Sequence, residues 1–146
     1  MKIGVAVLAA GPGSRAGGCK LARIVCGRPL LEWSLYPAAA FEGATIRVIV
    51  VGACLCAVEK VNKRLLSMFR VIYNPWWREG MASSARIAAT ILEDAGVDVA
   101  LFTLGDMPLV TRSLLEKLVS TLGEGWEAAY TSHGGVRGPP AAFRRE

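Results

Sequence analysis

Gly11-Pro12-Gly13-Ser14-Arg15-Ala16-Gly17-Gly18-Cys19-Lys20 sets four glycines, one arginine and one lysine directly behind the apolar run Ile3-Gly4-Val5-Ala6-Val7-Leu8. Glycine lets the backbone approach a ligand closely and take positive φ. Amides in such a loop face anions, and Arg15 and Lys20 add full positive charge. The combination suits a loop that cradles a nucleoside triphosphate. The same residues could form a glycine-rich surface turn with solvated cations, and composition leaves that alternative open. Two better-defined phosphate loops fit poorly. A P-loop requires Gly-Lys-Ser/Thr, whereas Lys20 stands between Cys19 and Leu21. A dinucleotide fingerprint requires G-x-G-x-x-G and an acid about 20 residues later. Here Gly11, Gly13 and Gly17 read G-x-G-x-x-x-G, and the next strand ends Val50-Val51-Gly52 without an acid.

Asp106 is the second chemical focus. It lies just beyond the apolar run Val97 to Leu104, between Gly105 and Met107-Pro108. A carboxylate there can hold Mg²⁺, which is usually bound by one or two carboxylates, substrate phosphates and water. An aspartate in a strand-to-helix turn is the competing reading. Gly80-Met81-Ala82-Ser83-Ser84 opens a helical pattern whose first amides could bind an anion, or which Ser83 or Ser84 simply caps. Trp76-Trp77 could stack on a ring or pack in the core. His133, the only histidine, falls in a turn and is assigned no catalytic work.

These residues need a scaffold that brings them together. Strand-length apolar runs alternate with helical patterns, which predicts an α/β fold: a mostly parallel twisted sheet with helices on both faces. Strands are expected at Ile3 to Leu8, Thr45 to Val51, Phe69 to Tyr73, Val97 to Leu104 and Trp126 to Thr131. A broken extended segment follows from Val136 to Phe143, interrupted by Pro139-Pro140. Helices are expected at Leu30 to Phe41, kinked or ended early by Pro37, and at Leu55 to Ser67, Ala82 to Asp94 and Arg112 to Thr121. Thr111 and the box Ser113-x-x-Glu116 compete to cap the last of these. Parallel sheets bind ligands at the carboxyl ends of their strands. The glycine-rich loop, Asn74-Pro75 and Gly105-Asp106 all follow strands, so they should converge on one edge.

A chain of 146 residues, 53% apolar and 20% charged, is expected to form a single globular domain spanning residues 1–146. Its net charge of +5 is scattered rather than gathered into a stripe with interleaved aromatics, so no nucleic-acid partner is expected. No apolar run reaches the ~18 residues of a membrane span, and a cytoplasmic protein is expected. Cys19, Cys26, Cys54 and Cys56 show no zinc spacing and are expected as thiols, with a disulfide admissible in a hyperthermophile.

The order of these features resembles the molybdenum-cofactor nucleotidyltransferases, molybdopterin cytidylyltransferase and guanylyltransferase among them. That family reads L-A-A/G-G-x-G/S-x-R-x-G-x-x-K after its first strand, which Leu8 to Lys20 match without a gap. The likeness continues in Gly27-Arg28-Pro29-Leu30-Leu31-Glu32, in Asn74-Pro75 through Gly80-Met81-Ala82-Ser83-Ser84, and in Leu104-Gly105-Asp106-Met107-Pro108. The resemblance implies a Rossmann-like nucleotide-diphospho-sugar transferase (GT-A-like) architecture. It also implies transfer of a nucleoside monophosphate to a phosphorylated acceptor such as molybdopterin, with release of pyrophosphate. Leu8, Ala9, Ala10, Gly11, Gly13, Ser14, Arg15, Lys20, Asn74, Gly80, Ser83, Ser84 and Gly105 would then bind the nucleotide. Arg15, Lys20 and Asp106 would act in catalysis, and Asp106 would bind Mg²⁺. Ala9-Ala10-Gly11 looks like the cytidylyltransferase branch, favouring CTP over GTP.

The sequence also departs from that family. Pro139 stands where the family's G-H/N-P-x-x-F carries a polar residue, and the sequence stops at Glu146, before the position where the family's Gly-Asp motif supplies a second metal carboxylate. A nucleotide-binding protein without turnover is therefore one alternative reading, and a sugar- or polyol-phosphate nucleotidyltransferase another. An uncovered apolar surface would invite homo-oligomers.

Overall fold

The computed structural model describes residues 1–13 and 18–146. Its main sheet has six strands in the order β5-β4-β1-β6-β8-β7. These are β1 (Ile3–Ala9), β4 (Ala44–Val51), β5 (Arg70–Tyr73), β6 (Val99–Leu104), β7 (Ala128–His133) and β8 (Val136–Arg144). A two-stranded ribbon, β2 (Ile24–Val25) with β3 (Arg28–Pro29), lies apart. β1 pairs in parallel with β4 and β6, and β4 with β5. β8 runs antiparallel to β6 and β7. The α/β, mostly parallel sheet expected from the alternating pattern is therefore what forms.

Every residue of β1 is buried, as a central strand covered on both faces requires. On one face Val5, Val7, Ile49, Leu101 and Ala142 pack with α1 (Leu30–Ala40), α2 (Leu55–Lys60), α3 (Lys63–Leu66) and α5 (Arg112–Gly123). On the other, Ala6, Leu8, Val48 and Val50 meet Ala88 and Leu92 of α4 (Met81–Asp94). α4 covers β1 and β4. Beside it, Phe102, Tyr130, Ala141 and Phe143 line an open groove of about 510 Å³.

α1 runs through Pro37 rather than ending early. An interior proline costs about 3 kcal/mol in lost hydrogen bonding and ring clash. Leu31, Leu35 and Ala38 are fully buried on the same helix, and each buried leucine contributes about 1.5–3 kcal/mol. Packing thus outweighs propensity. Arg47 of β4 then closes the far end of α1, donating from Nε to Ala38 O at 2.8 Å and from Nη2 to Phe41 O at 2.6 Å.

The stretch Leu55 to Ser67 forms two short helices instead of one. Asn62 breaks it: its side chain accepts from the amides of Arg64 and Leu65, and its own amide donates to Glu32 Oε1 at 2.7 Å. Glu32 is buried and also takes the Tyr36 hydroxyl and the Arg28 guanidinium. Burial, then the Glu32 charge, pushes the Tyr36 hydroxyl above its ordinary pKa. The Gly27-to-Glu32 motif is thus a structural hub tying α1 to α3. Thr111 caps α5 by accepting from Leu114 N, which settles its competition with Ser113. Val136 to Arg144 forms one continuous strand through Pro139-Pro140, whose peptide bond is cis. Among the described residues, no helix is long and apolar enough to cross a membrane.

Candidate nucleotide site

The carboxyl ends of the parallel strands build the site. β1 leads into Gly11 and Gly13, β6 into Gly105 and Asp106, and β5 into Asn74. Gly105 N donates to Leu8 O at 2.9 Å, continuing the β1–β6 ladder one step past the strand. A Cβ on Gly105 would stand 2.8 Å from the Ala9 Cβ and 3.1 Å from Leu31. Only a residue without a side chain lets the two strand ends close up there, and that fixes where Asp106 emerges.

Lys20 begins a 3-10 turn, Lys20–Ala22, whose Leu21 and Ala22 are buried in the core. From that anchor its Nζ reaches Asp106 Oδ2 at 2.9 Å. The side chains are 42% and 35% exposed, so this ion pair contributes about 1 kcal/mol at most. A weak, solvent-facing pair can be opened by a polyanion. Leu8, Ala9, Gly11, Gly13, Lys20, Met81, Leu104 and Asp106 share one cleft of about 140 Å³. The sequence-predicted loop and acid therefore meet. Ser14 and Arg15 lie outside the described residues.

A second cavity of about 220 Å³ adjoins it, lined by Leu8, Ala10, Gly11, Pro12, Trp77, Gly80, Met81 and Ser84. Gly80 has φ 101°, a conformation that only glycine adopts readily, and it starts α4. Ser83 and Ser84 do not cap α4: both are buried, and Gly80 is the N-cap. Ser83 Oγ donates to Gly80 O at 2.7 Å, which holds the turn.

Asn74 has no exposed surface. Its Nδ2 donates to Ser83 Oγ and Ser84 Oγ, each at 2.9 Å, and its Oδ1 accepts from Trp76 N at 2.8 Å. The structure thus places Asn74 and Ser83 behind the cavity wall, where their polar atoms are already engaged. Ser84, Gly80, Ala10 and Met81 stand in the wall itself. Trp77, expected either to stack on a ring or to pack in the core, stands in the wall of this cavity, and Gly52 is a spacer that the sequence did not reveal. A Cβ on Gly52 would lie 2.7 Å from Ala10 O and 2.8 Å from Trp77 Cβ. Its only signal was its place at the end of an apolar strand.

The cysteines depart from the expectation of free thiols. Cys19 and Cys54 form a disulfide with Cα atoms 5.7 Å apart, while Cys26 and Cys56 are free and exposed. The fold creates the pair by placing the loop after β1 against the end of β4, where Ala53 N donates to Ala10 O at 3.1 Å. His133 is exposed in the β7–β8 hairpin, away from the cleft.

Among the described residues, no group of three or more His, Cys, Asp or Glu could hold a metal by itself. Asp106 is a lone, accessible carboxylate beside a loop suited to phosphates. That donor set fits a Mg²⁺ that keeps its waters and shares phosphate oxygens, rather than a cation in a protein cage.

The family model described as MobA-like NTP transferase domain matches residues 5–146. The bifunctional enzyme IspD/IspF of Chelativorans sp. (strain BNC1) is 28% identical over 128 residues, covering 84% of this chain and 31% of that protein. The chain thus spans about a third of the length of that curated relative. Among solved structures, Rv0371c from Mycobacterium tuberculosis H37Rv is similar at a TM-score of 0.82 and 25% identity, over 99% of this chain and 72% of that one. The 4-diphosphocytidyl-2C-methyl-D-erythritol synthase from Anaerococcus prevotii shares the fold at a TM-score of 0.67 and 17% identity, over 98% of this chain and 70% of that one.

Proposed function

Because this chain belongs to the MobA-like NTP transferase family, we propose that it transfers a nucleoside monophosphate from an NTP to a phosphorylated acceptor. The acceptor phosphate oxygen attacks the α-phosphorus, and pyrophosphate leaves. The observation that supports this most is the 2.9 Å contact between Lys20 and Asp106 across the joined ends of β1 and β6. Lys20 exchanges its carboxylate partner for the triphosphate, neutralising charge that grows on the departing pyrophosphate. The Asp106 carboxylate, released from Lys20, would hold a Mg²⁺ ion, which would supply further charge neutralisation. Arg15 is proposed to assist from the same loop. The amides of Gly11 and Gly13, in the loop after β1, are proposed to cradle the phosphates with Ser14, while Leu8, Ala9 and Ala10 line the adjoining walls and the cavity beneath Trp77 takes the base. CTP is the proposed nucleotide, since the Ala10 methyl narrows that cavity. Molybdopterin is the proposed acceptor on the strength of the Asn74-to-Ser84 motif.

Two other readings rest on specific observations. The lone carboxylate favours a binder with little turnover. The IspD/IspF relative favours a sugar- or polyol-phosphate acceptor. Thermal shift with each Mg-NTP tests the nucleotide: Mg-CTP should raise the melting temperature, and Lys20→Ala or Asp106→Ala should abolish the rise. No shift with any Mg-NTP refutes the assignment. Pyrophosphate release in the presence of molybdopterin or polyol phosphates then separates turnover from mere binding and identifies the acceptor.

A further inference from the structure

We propose that Cys19 and Cys54 form a thiol–disulfide site through which a dithiol reductant sets the affinity of the nucleotide cleft; this rests on the nucleotidyltransferase reading. Cys19 immediately precedes Lys20, and Cys54 follows Gly52-Ala53 beyond β4. The segment from Gly52 to Cys54 already grips the start of the glycine-rich loop. Ala53 N donates to Ala10 O at 3.1 Å, Gly52 packs on that same carbonyl, and Cys54 Sγ lies 3.7 Å from the Pro12 carbonyl oxygen. The disulfide ties the far end of the loop to the same strand end. Oxidised, the loop is held at both ends by one rigid element, with Lys20 directed at Asp106. Reduced, it keeps its grip at Ala10 and Pro12, where the Cys54 thiol can donate to the Pro12 carbonyl. It loses the tie beside Lys20.

The two sulfurs differ in access. Cys54 is only 3% exposed, whereas Cys19, next to Lys20, is half-buried. An incoming thiolate therefore attacks Cys19 Sγ and forms a mixed disulfide, and Cys54 leaves as a thiolate that takes up a proton. The second thiol of the reductant then attacks its own sulfur in the mixed disulfide and releases Cys19. Two protein thiols and one oxidised reductant result, so electrons and protons balance. Ordering lost in the empty site must be regained when a nucleotide binds, which weakens binding.

The test is calorimetric titration of Mg-CTP into the full chain, oxidised and then treated with dithiothreitol, with intact mass measured on both samples. Reduction should add the mass of two hydrogens and weaken Mg-CTP by about tenfold. Cys19→Ser and Cys54→Ala should each bind as weakly as the reduced protein and ignore dithiothreitol. Cys56→Ser should respond as the unmutated chain does. Titration of the unmutated chain needs no substitution, so a variant that fails to fold does not blunt the test. Absence of the mass gain overturns the proposal. Equal, measurable affinity in both states overturns it and leaves the nucleotide reading intact. Lack of affinity for any Mg-NTP in the oxidised protein overturns both.

Discussion

Replacing Asn74 with alanine should destabilise the fold far more than it alters the nucleotide contacts. The side chain is wholly buried and makes three hydrogen bonds, to Ser83 Oγ, Ser84 Oγ and Trp76 N. At about 1 kcal/mol net for each bond, their loss costs about 3 kcal/mol. With an unfolding entropy of about 2.1 cal/mol/K per residue, that lowers the melting temperature by about 10 °C. Circular dichroism melts read the stability. Nucleotide titration well below the melting point reads the site, and the dissociation constant there should change by less than about tenfold, because Ser83 still holds Gly80. Asn74→Asp sharpens the test. It keeps an acceptor for Trp76 N but buries a carboxyl, whose pKa must rise. An acid with a raised folded pKa favours the fold in its neutral form, so stability lost at neutral pH should partly return as pH falls. If Asn74→Ala melts with the parent yet loses nucleotide affinity by more than tenfold, Asn74 touches the ligand and the positioning account is wrong.

Four further outcomes follow from the geometry. Lys20→Ala should cost less than about 1 kcal/mol of stability, since its ion pair is exposed, yet should remove the thermal shift with Mg-CTP. Gly52→Ala should destabilise by about 1–3 kcal/mol in a urea melt, because its methyl would meet Ala10 O at 2.7 Å. Opening the disulfide, which spans 35 residues, should cost about 4 kcal/mol and lower the melting temperature by about 12 °C in a scan with dithiothreitol. Asp98, held below its ordinary pKa chiefly by the Lys2 amide donating at 2.7 Å, stabilises the fold above its unfolded pKa. That contribution fades as pH falls through the folded value, so Asp98→Asn should flatten the acid limb of a melting-temperature profile.

The sheet was legible because β1 is an apolar run of strand length and β4 ends in the apolar stretch Val48 to Val51 closed by Gly52, and Thr111 was legible as a cap from its place before α5. The meeting of Lys20 and Asp106, 86 residues apart, followed from the rule that parallel strands present their carboxyl ends together. Other features depended on contacts the sequence does not display. Pro37 marks a break locally, but the buried face of α1 overrides it. Ser83 and Ser84 have the composition of caps, yet Asn74 draws both inward. Cys19 and Cys54 carry no spacing signal, because only the crossover from β1 through α1 to β4 makes them neighbours. Glu32 stood inside a motif shared with nucleotidyltransferases, and its role as a hub appears only once Asn62, Tyr36 and Arg28 surround it.

The strand order carries a consequence for synthesis. β7 joins the sheet only through β8, and β8 lies between β7 and β6. A ribosome delivers β7 before the strand that must receive it. Until Val136–Arg144 emerges from the exit tunnel, β6 has a raw edge and β7 has no strand to pair with. The nascent chain can assemble β5, β4, β1 and β6 early, but the β7–β8 hairpin must insert as a unit. Chaperone capture during translation should therefore concentrate on that interval.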